Sequence, residues 1–163
     1  MLLLISDANI LIDMEAGKLL EKLFQLPMQF AIPDILYKEE IEPSKAGLEF
    51  LGLQIKEVSS EYVYIAANTL PAKYGHAPSF NDYLALSLAL QEDCPLLTGD
   101  QNLRRVAEAE EITVMGTIWL IDNMLKHQLL TTEEALQALH LMKLYKRRLP
   151  WDQAERIIRD YKN

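Results

Sequence analysis

A chain of 163 residues, half of them hydrophobic and a quarter charged, is long enough to bury one core without staples and reads as an ordinary globular protein. Its one cysteine, Cys94, excludes an internal disulfide, and no apolar run approaches the roughly 18 residues of a membrane span. A net charge of −8, from 24 acidic against 16 basic residues, argues against passive nucleic-acid binding through a basic face, but is compatible with an enzyme that holds cations in an acidic pocket. The apolar start is too short for a signal peptide and no Lys or Arg precedes it, so the expected location is cytoplasmic.

In chain order, MLLLIS is a continuous apolar run, the pattern of a strand covered on both faces. A helical pattern follows from Ala8 and restarts near Glu15, with Leu19, Leu20, Leu23 and Phe24 on one face. MQFAI reads as a second strand, after which Pro33 stands where a helix opens into PDILYKEEI. Residues 52–58 alternate as a third strand, and a helix runs from Ser59 or Ser60 until Pro71 or Gly75 disturbs it. SFNDYLALSLALQED is the clearest helix, CPLLT a short buried strand, 101–110 a helix and EITVMG a fifth strand. Helices to about His127, over 132–146 and over 150–161 complete the chain. Strands alternating with helices predict a mostly parallel sheet with helices on both faces, and such sheets carry their sites beyond the carboxyl ends of the strands. The six glycines form neither a GxGxxG nor a P-loop, which removes the main support for a nucleotide-binding enzyme of those classes.

Acids gather at that edge. Asp7 follows the first strand, Asp100 follows the fourth in LLTGDQNL, Glu39 and Glu40 lie on the helix after the second, and Asp82 falls in the first turn of the helix over 79–93. Carboxylates crowded together resist ionising together unless a hard divalent cation sits among them, and Mg²⁺ and Mn²⁺ take oxygen ligands. Each acid also has a plain structural role. Ser79-x-x-Asp82 spells a capping box, Asp7 and Asp100 are natural helix N-caps, and Glu39 suits a helix surface.

In order and spacing these pieces resemble the PIN-domain family, whose best-known bacterial members are VapC-type ribonuclease toxins encoded beside an antitoxin. SDANILID is similar to the family's opening strand with its Asp, IPDILYKEEI to the second motif, SFNDYLALSLAL to the third and LLTGDQNLR to the fourth. The tail is similar to a branch described only as PIN-like nucleic-acid-binding proteins. The resemblance implies an α/β three-layer fold with a central parallel five-stranded sheet in order 3-2-1-4-5, helices on both faces and extra C-terminal helices. It divides the chain into a nuclease domain over 1–127 and a helical extension over 128–163 packed on the same domain. It further implies a hydrolase, an Mg²⁺- or Mn²⁺-dependent endoribonuclease acting as the toxin of a toxin–antitoxin pair. RNA would be its substrate, with an antitoxin partner and a homodimer. By position, Asp7, Asp82 and Asp100 would hold the metal and Glu39, in preference to Glu40, would hold a second metal or position a water. Asn9, Thr98, Ser79 and Asn102 would stand behind them.

The acidic net charge motivates a second reading, a PIN-like interaction module with weak or no nuclease activity. A phosphatase-like use of Asp7 as nucleophile meets the objection that Asn9 stands where such chemistry places a second acid. His76, His127 and His140 lack metal-ligand spacing, and Cys94 has no neighbouring His in sequence. The aromatics Tyr62, Tyr64, Tyr74 and Phe80, with Trp119 and Trp151, read as packing residues. The late basic cluster, Lys143, Lys146, Arg147, Arg148, Arg156, Arg159 and Lys162, reads as a solvated helix face.

Overall fold

A computed structural model describes residues 1–161, so Lys162 of the basic cluster lies outside the described residues. Five strands form one sheet in the order β3-β2-β1-β4-β5, every neighbouring pair parallel. They are β1 (Leu2–Ser6), β2 (Met28–Pro33), β3 (Gln54–Lys56), β4 (Leu96–Leu97) and β5 (Val114–Met115). The order is the one the resemblance implies. Leu4 and Ile5 are both fully buried, and since successive strand residues point to opposite faces, β1 is covered on both sides. That accounts for the unbroken apolar run at the start of the chain.

The helices are α1 (Ala8–Ala16), α2 (Leu20–Leu23), α3 (Asp34–Leu36), α4 (Ser60–Tyr64), α5 (Leu70–Tyr74), α6 (Phe80–Glu92), α7 (Gln101–Ala109), α8 (Thr117–Lys126), α9 (Thr132–Leu144) and α10 (Trp151–Arg159). Two of them run on without a break as wider π-type turns, α3 into Tyr37–Ile41 and α4 through Ile65–Thr69 into α5. The helix expected to open at Pro33 starts one residue later, because Pro33 still belongs to β2 and pairs with Lys56. Pro71 sits inside the continuous helical stretch and does not end it; Gly75, at φ +90°, does. The third strand is shorter than the alternating pattern over 52–58, since only Ala31, Ile32 and Pro33 of β2 face it.

Helix α6 lies across β1, β2 and β4, and its fully buried Leu84, Leu86 and Leu88 fill the space between. Helices α1, α8 and α9 pack on one another. Gly17, at the end of α1, makes room for that packing: a Cβ there would stand 2.6 Å from Met142 Cε. Ala135, Leu139 and Met142 of α9 and Ile158 of α10 join the same core as the sheet. Among the described residues no helix is long and apolar enough to cross a membrane.

Candidate functional site

Because all five strands run the same way, Asp7, Pro33, Thr98 and Gly116, which end or follow them, lie along one edge of the sheet. Asp7 is buried there, 1% exposed, and one carboxylate oxygen caps α1 by accepting from the Ile10 amide at 3.0 Å. Its other oxygen accepts from the Thr98 hydroxyl at 2.5 Å. Thr98, itself fully buried, uses the same hydroxyl to accept the Asp100 amide at 3.1 Å. The end of β4 is thereby clamped onto the end of β1. Asp100 then caps α7 by accepting from Leu103 at 2.9 Å.

Burial pushes the Asp7 carboxyl up to about 7; the Thr98 and Ile10 hydrogen bonds work in the other direction, and the nearby Asp82 and Asp13 charges add to the rise. Asp7 and Asp82 are therefore close enough for their charges to act on each other. Asp100 is tied to the site through Thr98, whose hydroxyl accepts its amide.

Asp82 sits in the capping box anticipated from the sequence. It accepts the Ser79 amide at 2.9 Å, while its own amide donates to the Ser79 hydroxyl at 3.1 Å. The neighbouring Asn81 donates to Glu39 at 2.9 Å. Partial burial raises the Glu40 carboxyl, the Asn81 amide lowers it, and the Asp82 and Glu39 charges raise it further. Both glutamates thus belong to the acidic end of α6. Capping and clustering prove compatible, since Asp7 and Asp82 each satisfy a helix terminus and still act on each other as charges.

This edge also holds contacts to which the sequence reading gave no role. Asp13, in the middle of α1 and only 6% exposed, accepts from the Thr117 hydroxyl at 2.8 Å and from Arg147 Nε at 2.7 Å. Arg147 also reaches the Asn9 side chain at 3.1 Å, so Asn9 faces the arginine. One member of the basic cluster is therefore turned inward, while Lys143, Lys146 and Arg148 are exposed as a solvated face would be. Asn102 accepts from Arg105 at 2.6 Å on the exposed side of α7. Cys94 is half-buried, and burial together with Glu92 and Asp93 pushes its thiol up to about 11, leaving little thiolate at neutral pH.

The acids can be tested against a divalent cation. Among the described residues no three His, Cys, Asp or Glu side chains converge closely enough to hold a metal ion together, so Asp7, Asp82 and Asp100 do not form a three-acid site. Yet Asp7, Asp82, Glu39 and Glu40 make no ion pair among the described residues, and Asn81 Oδ1 is buried without a hydrogen-bond donor. Every donor is an oxygen. Mg²⁺ keeps several waters and is commonly held by one or two carboxylates, so the donor set fits a water-rich ion held at Asp7 and Asp82.

A parallel sheet of this order with acids at its carboxyl edge defines a recognisable class of α/β proteins. The family model described as PIN domain matches residues 3–163, and the chain belongs to the PIN-domain family. No curated protein matches it. Among solved structures, a chain of VapBC2 from Rickettsia felis, crystallised bound to a DNA fragment from its promoter, shares the fold at a TM-score of 0.51 and 18% identity; the match covers 71% of this chain and 98% of that one.

Proposed function

We propose that the protein is a metal-dependent endoribonuclease that cleaves RNA phosphodiester bonds, and that it acts as the toxin half of a toxin–antitoxin pair. The observation that carries the reading is the buried Asp7 within reach of the Asp82 charge, at the sheet's carboxyl edge, with no ion pair to either among the described residues. The Asp82 charge raises the Asp7 carboxyl, and a divalent cation held by the two would remove that cost. When bound, such an ion supplies an activated water and offsets the charge that builds on the phosphodiester. Asp7 and Asp82 would hold it. The Thr98 hydroxyl fixes the rotamer of Asp7, Asn81 fixes Glu39, and the Asp100 amide fixes Thr98. Family membership supports nuclease chemistry in general, and the VapBC2 neighbour, a toxin–antitoxin complex by its name, supports a partner protein.

The test pairs cleavage with binding. Wild type is expected to bind Mn²⁺ saturably in calorimetry and to cleave single-stranded RNA with Mg²⁺ or Mn²⁺, while Asp82→Asn and Asp7→Asn lose both. Wild-type cleavage rates in these variants would overturn the assignment. The acidic charge of −8 favours one rival, an interaction module without nuclease activity. For that reading, millimolar Mn²⁺ would give no heat, and a pull-down with Asp82→Asn would recover the same partner as wild type.

A further inference from the structure

Beside the acids, the carboxyl edge of the sheet opens into a cavity of about 450 Å³. Its floor is the ends of β4 and β5, its sides the first turns of α7 and α8, and its outer wall Arg148, Leu149, Pro150 and the facing side of α10. It begins at Thr98 and Asp13, one a hydrogen-bond partner of Asp7 and the other a charge acting on it. The C-terminal segment therefore walls one side of this edge and leaves a half-open pocket. A volume of this size lies within the range of roughly 300–1,000 Å³ typical of small-molecule sites.

The charges facing the cavity can be accounted for one by one. Asp13 is held by Arg147 and Thr117. Asp122 is held by the Tyr161 hydroxyl and by Lys126 at 3.5 Å. Arg104, part-buried, meets the exposed Glu108 at 3.5 Å, an i,i+4 surface pair weak enough to exchange. Arg148 is exposed and has no acidic partner among the described residues. Among the described residues Arg148 is thus unpaired and Arg104 is held only by that weak surface pair, in a chain whose net charge is −8. A guanidinium fork matches phosphate oxygens. Trp119 lines the same space and offers a flat ring on which a base can stack. At the same wall α8 starts from Gly116, with no side-chain cap over its first turn.

We infer that this cavity is a subsite for one nucleotide of single-stranded RNA, with its phosphate on Arg104 and Arg148 and its base against Trp119. The inference rests on the nuclease reading above and names how that site holds its substrate. An unpaired base is required, because only an unstacked base presents its face to an aromatic ring.

The experiment uses the full chain as Trp151→Phe, which leaves Trp119 as the sole tryptophan. With EDTA present and ionic strength fixed, its fluorescence is titrated with a short single-stranded RNA and, separately, with nucleoside 5′-monophosphates. Saturable quenching is expected. Arg104→Ala and Arg148→Ala should each weaken binding about tenfold, and Arg148→Lys should recover part of the loss. Absence of quenching, or wild-type affinity in both arginine variants, would overturn the subsite. The two readings fail separately. Quenching that persists while wild type, supplied with Mg²⁺ or Mn²⁺, leaves the same RNA uncut removes the nuclease and keeps the subsite. Cleavage abolished by Asp82→Asn, but with binding and KM unchanged in both arginine variants, removes the subsite and keeps the nuclease.

Discussion

Arg147 Nε donates to Asp13 Oδ1 at 2.7 Å across 134 positions of sequence, and the same guanidinium reaches the Asn9 side chain at 3.1 Å. Asn9 and Asp13 stand four residues apart on α1 and so share one helix face, which lets a single planar fork span both. The segment after α9 is thereby fixed to the helix that Asp7 caps. The outer wall of the cavity, which begins at Arg148, is placed by this contact.

Breaking that contact should be costly. Arg147 is 23% exposed at its side chain and Asp13 9%, so removing the arginine leaves a carboxylate largely out of water without its partner. Arg147→Met is expected to lower stability by about 2–3 kcal/mol, read from urea unfolding. In an Asp13→Asn background the same change should cost clearly less, as expected for a coupled pair. A loss below about 0.5 kcal/mol, the level of an ordinary surface substitution, would show the pair to be idle.

Much of the sheet is legible in the residues because its physical signals are local. The apolar run over β1 and the Asp that caps α1 sit side by side in the chain, as do Ser79 and Asp82. The role of Asp13 left a fainter signal, a charge among Ile10, Leu11 and Met14 on the buried side of α1. A charge in that position asks for a partner, but one sequence cannot point to residue 147. The buried oxygen of Asn81 likewise depends on how α6 meets the helix after β2, a contact between elements that no local pattern encodes. Strands β4 and β5 are two residues each, because only Leu96 and Leu97 meet both neighbours in register.

The titration of Asp7 carries a sign opposite to that of most acids. Its carboxyl rises from 3.8 to about 7 on folding, so between these values the folded chain holds a proton that the unfolded chain has lost. Stability of the metal-free protein should therefore be fullest below about pH 4, fall as pH climbs toward 7, and level off above. Asp7→Asn carries no such proton, and its stability curve should be flatter across that window. Urea midpoints measured in EDTA from pH 5 to 8 check this; parallel curves for the two proteins would show that Asp7 ionises freely.

Asp82 performs two tasks that one pair of substitutions can separate. As the third residue of the capping box it accepts the Ser79 amide, which any carbonyl-type oxygen in the same place can do. As a charge beside Asp7 it offers something only a carboxylate has. Asp82→Asn should keep stability within about 0.5 kcal/mol of wild type, since the amide oxygen can still cap, while Mn²⁺ binding disappears. Asp82→Ala should lose the metal and, in addition, about 1 kcal/mol with the cap. Equal destabilisation by both, with Mn²⁺ binding intact, would make Asp82 a cap alone. The clustering of acids at this edge would then be a by-product of where helices start in a parallel sheet.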